Sequence, residues 1–141
     1  MTKKLEGAGL RGQVAGETSL STVGQLEGLA YRGHKIEVLA EKASFEEVAY
    51  LLLYSKLPNA NELSEYKNLL KSQRDLPNEL KEVLQKIPAS AHPMDVMRTG
   101  TSMLGNLEPE GSFENQLNSI NRMIATLSLI HISEPTRLRR I

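Results

Sequence analysis

Apolar residues near the start of the chain follow two different spacings. Residues 18–23 (TSLSTV) and 29–33 (LAYRG) are short runs, partly β-branched or aromatic, and the five residues between them have a glycine at each end. This pattern predicts a small β-hairpin. From Ile36 onward the apolar spacing becomes helical, so helices are expected for the rest of the body.

The segment 44–54 has a strong helical signal. Ser44 is followed three residues later by Glu47, the spacing of a capping box. Its apolar positions form a wide stripe, which predicts a deeply buried helix with these inward residues: Phe45, Val48, Ala49, Leu52 and Leu53. Pro58 is expected to end the helix, since proline cannot donate to the helical hydrogen-bond ladder.

Four further stretches predict helices. Asn59 with Glu62 repeats the capping signal, while Asp75 and Pro77 are expected at the cap and first turn of the next helix. Helices are also expected after Pro93 and after Ser112. Their inward residues are predicted to be Leu63, Tyr66, Leu69 and Leu70; Leu80, Val83, Leu84 and Ile87; Met94, Met97, Thr101 and Leu104; and Leu117, Ile120, Ile124 and Leu127. The predicted fold class is mainly α, with three to five helices and the hairpin near the start.

Composition restricts the class of protein. The 141 residues suit one domain, and 17 basic residues balance 17 acidic ones, which gives no overall field for nucleic acid or membrane. The absence of cysteine excludes a disulfide scaffold and a thiol nucleophile. No apolar run is long enough for a membrane span, so a soluble cytoplasmic protein is expected. Residues 1–17 contain four glycines and little periodicity, which predicts a flexible arm.

The last fourteen residues, 128–141, differ in composition from the body. Three of the last five residues are arginines, and Pro135 is expected to end any helix that enters this segment. The segment resembles the translation of a sequencing adapter joined to a truncated reading frame, and a natural basic arm is the alternative. Residues 18–127 are therefore expected to form the folded body, with 128–141 as a non-native tail.

The stretch HPMDVMRTG places His92, Asp95 and Arg98 close together and suggests chemistry. A catalytic interpretation would make His92 a base oriented by Asp95, but no third group follows at a defined spacing. The structural interpretation places His92 at a helix cap, Pro93 at the first helical position, and Asp95 with Arg98 as neighbours on one face. It accounts for each polar residue, and we favour it.

The other candidate groups predict no site. His34 and His131 lack a nearby pair of acidic ligands, so no metal site is expected. The glycine-rich residues 7–12 (GAGLRG) neither follow a predicted strand nor open a helix, so they lack the geometry of a phosphate-binding loop. No catalytic, cofactor-binding or metal-ligating residue is therefore assigned in the chain.

Four stretches, in this order and spacing, resemble the N-terminal part of the citrate synthase family: AGETSLSTVG (15–24), LAYRGHKIEVLAEKASFEEVAYLLLYSKLP (29–58), LPNELKEVLQKIP (76–88) and AHPMDVMRTGTSMLG (91–105). The first and last resemble the 2-methylcitrate synthase branch more than the citrate branch. The chain departs from the family pattern at His34, where an aromatic residue is usual, and at Ser55, where glycine is usual.

The resemblance implies a large helical domain and a homodimeric acyltransferase that condenses an acyl-CoA with oxaloacetate, without a further cofactor. Propanoyl-CoA is the acyl donor expected for this branch, which serves propanoate breakdown. In the family, two histidines and an aspartate carry the reaction, in segments of the form HGGANE and GFGH that this chain does not contain; His92 is not one of them. The chain alone is expected to be inactive.

Two alternatives stay open at this point. In the first alternative, the whole protein is an enzyme of the same family, a citrate synthase that uses acetyl-CoA. In the second, the chain is not part of an enzyme but a helical interaction module, in which the apolar faces of residues 44–54 and 112–127 bind another protein.

Overall fold

The computed structural model describes the backbone of residues 16–24 and 28–138 and the side chains of residues 16–24 and 28–130. The chain divides into two compact units, Met1–Lys56 and Leu57–Ile141. In the described residues the fold is mainly α, with six α-helices and a three-stranded antiparallel sheet. None of the helices in that part of the chain is long and apolar enough to cross a membrane.

The sheet belongs to the first unit and begins with the predicted hairpin. Strand β1 (Ser21–Gly24) pairs antiparallel with β2 (Gly28–Tyr31), which confirms the hairpin. A third strand, β3 (His34–Lys35), pairs with β2 after a turn in which Arg32 and Gly33 have φ angles of 47° and 83°. Positive φ at both turn residues matches the twist of the flanking strands. Two residues are too few to show strand periodicity, so the sequence did not predict β3.

Two helices complete the first unit, α1 (Ile36–Lys42) and α2 (Phe45–Tyr54). The predicted capping box is confirmed: Ser44 N donates to Glu47 Oε2 at 2.7 Å, and Glu47 N donates to Ser44 Oγ at 3.4 Å. The predicted deep burial of the whole stripe is wrong, because Phe45 is 69% exposed and the buried residues of α2 are Ala49 and Leu51. Nearly every position after Glu47 is apolar, so spacing alone does not select the buried side.

Helix α2 ends at an unusual residue. Ser55 has a φ of 66°, in the left-handed region, and its backbone N–H donates to Leu51 O at 2.9 Å. Glycine is favoured at this position of a helix end because it has no Cβ to clash there. Helix α2 therefore ends at Tyr54, four residues before Pro58, and the turn that follows strains the backbone of Ser55.

The second unit contains four helices: α3 (Ala60–Ser72), α4 (Asn78–Lys86), α5 (Pro93–Leu107) and α6 (Gln116–Leu138), the last preceded by a 3₁₀ turn at Phe113–Asn115. The capping box of Asn59 and Glu62 is confirmed. The predicted start of α4 is wrong by one residue, since Pro77 is the cap residue itself. Asp75 does not cap the helix; its Oδ1 accepts from Leu76 N at 2.8 Å and pairs with Lys81 Nζ at 3.4 Å.

Helix α6 contradicts the predicted stop at Pro135, because it continues to Leu138. A proline inside a helix removes one hydrogen bond, and the flanking ladder can continue on both sides of it. The proposed boundary between body and tail at residue 127 lies within this helix and stays a prediction.

The core of the second unit lies where α5 packs against both α4 and α6. Its buried members come from all three helices: Leu80, Leu84, Val96, Leu104 and Ile130. Gly100 permits the close approach, since a Cβ added there would lie 2.8 Å from Ile130 Cδ1. The predicted inward residues of α4 are confirmed, with Leu80 and Leu84 buried and the other two half-buried.

The predicted inward faces of α5 and α6 are wrong in part. Met94 is 67% exposed, and α5 buries Val96, Gly100 and Leu104. On α6, Leu117 and Ile120 are exposed, while Asn121 and Thr126 are buried with Ala125 and Ile130. The two polar residues tolerate burial because Tyr66 Oη donates to Asn121 Oδ1 at 3.0 Å and Thr126 Oγ1 donates to Arg122 O at 2.7 Å.

Gly100 and Gly105 lie on the same helix and provide a matched pair of variants. Gly100→Ala should destabilise the fold by about 1 kcal/mol, because overpacking against buried Ile130 costs about 1–3 kcal/mol and the helix-propensity gain returns only about 1 kcal/mol. Gly105→Ala should stabilise by up to about 1 kcal/mol, since no atom other than those of the neighbouring helix backbone lies within 4 Å of the added Cβ. Urea unfolding followed by far-UV circular dichroism measures both; equal stabilisation by the two variants would contradict the close approach.

Replacing Ser55 by glycine should stabilise α2. Removing the Cβ relieves a left-handed conformation that costs an L-residue roughly 1–2 kcal/mol, and the greater freedom of unfolded glycine offsets part of that gain. We expect a net increase of about 0.5–1 kcal/mol in the free energy of unfolding. The control is Ser55→Ala, which keeps the Cβ and should give no such increase; a destabilising Ser55→Gly would show that the turn is unstrained.

Candidate functional site

A cleft of about 460 Å³ opens in the second unit beside the end of α5. The last turns of α5, the following loop and the first turns of α6 form its walls. The polar side chains that line it are Thr101, Glu108, Glu110, Asn115, Asn118, Ser119 and Arg122. Polar groups converge in this cleft, which is typical of ligand-binding sites, so it is the candidate functional site of the described residues.

Arg122 is the central group of this cleft. Its Nε and Nη2 donate to the two carboxylate oxygens of Glu108 at 2.8 and 2.7 Å, a bidentate ion pair. Its Nη1 donates to the backbone carbonyl of Gln73 and, at 2.7 Å, to that of Asp75. One guanidinium thus joins α6 to the cap residue of α5 and to the loop that follows α3.

The pair alters the ionisation of both partners. The hydrogen bond from Arg122 holds the pKa of Glu108 below its ordinary value, against a smaller opposing effect of burial. The same hydrogen bond raises the pKa of Arg122, again against partial burial. The side chain of Arg122 is only 20% exposed and that of Glu108 is 38% exposed, so solvent screens the pair incompletely.

These contacts define what the cleft can do chemically. A base or an acid that exchanges protons near neutral pH needs a pKa near that range, and the pair moves both groups away from it. The positive charge of Arg122 is balanced by Glu108 and by two carbonyls, so the observed arrangement stabilises the meeting point of three helices. The sequence did not indicate this pair, since the two residues lie 14 positions apart on different helices.

The HPMDVMRTG stretch has the predicted structural arrangement. His92 is the cap residue of α5, and its Nδ1 accepts a hydrogen bond from Met94 N at 3.2 Å. Pro93 occupies the first helical position, and Arg98 Nη2 lies 3.1 Å from Asp95 Oδ1. Both charged side chains are more than half exposed. The histidine is therefore oriented by its own helix, with one ring nitrogen already occupied.

The other residues considered as ligands in the sequence are two histidines and the glycine-rich residues 7–12. His34 lies in β3 and is exposed. The side chain of His131 and residues 7–12 lie outside the described part of the chain. In the part that the structure describes, no group of three or more histidine, aspartate or glutamate side chains is placed to hold a metal ion.

Comparisons with known proteins agree on one family. Residues 9–134 match the family described as citrate synthase, C-terminal domain. The chain is 61% identical to a 2-methylcitrate synthase of Shewanella oneidensis over 91% of its own length and 34% of that protein's. It is 37% identical to a citrate synthase of Deinococcus radiodurans over 86% of its length and 33% of that protein's.

A solved structure gives the same result for the fold. A citrate synthase from Thermotoga maritima superposes with a TM-score of 0.74 at 33% identity, over 87% of this chain and 32% of that one. The helical arrangement above is therefore that of part of a citrate synthase. The chain spans about a third of the length of the relatives that it matches.

The lowered pKa of Glu108 predicts a pH dependence of stability. A carboxyl group whose pKa is lower in the folded state stabilises the fold above its unfolded pKa, and this contribution is lost as the pH falls through the lowered value. Glu108→Gln should therefore destabilise by about 0.5–1 kcal/mol at about pH 7 and by nearly nothing at about pH 2. Urea unfolding at both pH values measures the difference.

Asp95→Asn is the control for Glu108→Gln. Its partner Arg98 is 81% exposed and forms a single contact, so a loss of only a few tenths of a kcal/mol is expected. If Glu108→Gln had the same small effect at neutral pH, the bidentate contact with Arg122 would add nothing to the free energy of unfolding.

Replacement of His92 separates a cap from a catalytic base. Asparagine is a good cap residue, so His92→Asn should leave the free energy of unfolding nearly unchanged, whereas His92→Ala should lower it by about 1 kcal/mol. Both variants should keep turnover per folded molecule when introduced into the whole protein. If His92→Asn kept normal stability but lowered turnover about a thousandfold, His92 would be a catalytic residue and the cap interpretation would be wrong.

Proposed function

Because the chain belongs to the citrate synthase family, we propose that it is the N-terminal third of a 2-methylcitrate synthase. The whole protein would condense propanoyl-CoA with oxaloacetate to form 2-methylcitrate and free CoA. The observation that carries this proposal is the 61% identity to the Shewanella oneidensis enzyme over nearly all of the chain.

Citrate synthase with acetyl-CoA is the second candidate. The 37% identity to the Deinococcus radiodurans enzyme over a similar length supports it, but more weakly. The two reactions share one mechanism and differ by a single methyl group on the acyl donor. Discrimination of one methyl group in an apolar pocket is worth about 1–3 kcal/mol, so a direct comparison of the two thioesters is required.

The condensation requires several chemical groups, which must come either from this chain or from other segments of the whole protein. The α-carbon of the thioester has to lose a weakly acidic proton, which needs a positioned base and a hydrogen-bond donor for the developing enolate oxygen. The resulting carbon nucleophile then attacks the ketone of oxaloacetate, and water releases CoA from the thioester. Two carboxylates of oxaloacetate also need cationic partners.

We propose that the groups meeting these demands come from the rest of the protein. The contacts described above support this assignment. His92 Nδ1 accepts the N–H of its own helix, and Arg122 is paired with Glu108 and two backbone carbonyls. Arg98 pairs with Asp95 on an exposed surface. The chain would then contribute helical scaffold, and the 141 residues alone would be catalytically inactive.

The proposal includes the further properties that the family resemblance implies. The whole protein would be a cytoplasmic homodimer that uses the two substrates without an additional cofactor. The interaction-module alternative differs here, because it requires neither substrate and predicts no catalytic segments after residue 127.

A chimeric enzyme tests the proposal with the chain itself. Residues 18–127 of the chain replace the matching segment of the Shewanella oneidensis enzyme, and release of free CoA is followed with propanoyl-CoA and oxaloacetate. We expect the chimera to keep turnover within about tenfold of its parent, because scaffold substitutions change transition-state binding little. The 141-residue chain assayed alone should release no CoA above background.

The matched control is a chimera with the corresponding segment of the Deinococcus radiodurans enzyme, which should retain less activity. A folded but inactive chimera would contradict the scaffold role, and turnover by the isolated chain would contradict its inactivity. Preference of the completed protein for acetyl-CoA would favour citrate synthase. A stop codon soon after codon 127 in the genomic DNA would favour the interaction module.

A further inference from the structure

We draw no further inference here: the strongest candidate, the exposed apolar face of α6 around Leu117, Ile120 and Met123 beside the cleft, carries none because nothing in the structure shows what covers it.

Discussion

The close approach of α5 and α6 at Gly100 is the constraint on which the second unit depends. The absence of a side chain at this position allows Ile130 to pack against the α5 backbone, within reach of Leu84 on α4. The other core residues, Leu80, Val96 and Leu104, are then brought into one cluster. Interiors are packed so densely that an added methyl group requires neighbours to move. The absence of a Cβ at Gly100 therefore lets α5 and α6 approach this closely without displacing Ile130.

Arg122 secures the same unit at its polar edge. The carbonyl groups at the end of a helix have no hydrogen-bond partner within that helix. Arg122 donates to two carbonyl groups at and after the end of α3, and also to the carboxylate of Glu108 at the end of α5. The planar guanidinium can satisfy several acceptors at once, which a lysine ammonium group would do with less directional order. Glu108 and Arg122, which both line the cleft, thus form structural contacts between helix ends and one cation.

Much of the local structure follows from the sequence because its causes are local. Three helix starts depend on contacts within four residues: Ser44 with Glu47, Asn59 with Glu62, and His92 with Pro93. The hairpin is equally local. The family could also be predicted, since ordered motifs occupy most of the chain, and the comparisons confirm it. The assignment of HPMDVMRTG to a capped helix rested on the same short-range reasoning.

Tertiary packing decided which faces are buried. Helix α6 offers an apolar stripe at Leu117 and Ile120, yet it buries Asn121 and Thr126, whose polar groups find partners. Sequence spacing measures hydrophobicity along one helix, while burial depends on the neighbours that each face meets. The Glu108–Arg122 pair likewise joins residues on separate helices. The sequence by itself determined the capped starts of α2, α3 and α5, the hairpin and the family, because short-range capping and ordered motifs specify them. The buried faces and the Arg122 contacts were decided only when the helices packed, because they depend on residues far apart in the sequence.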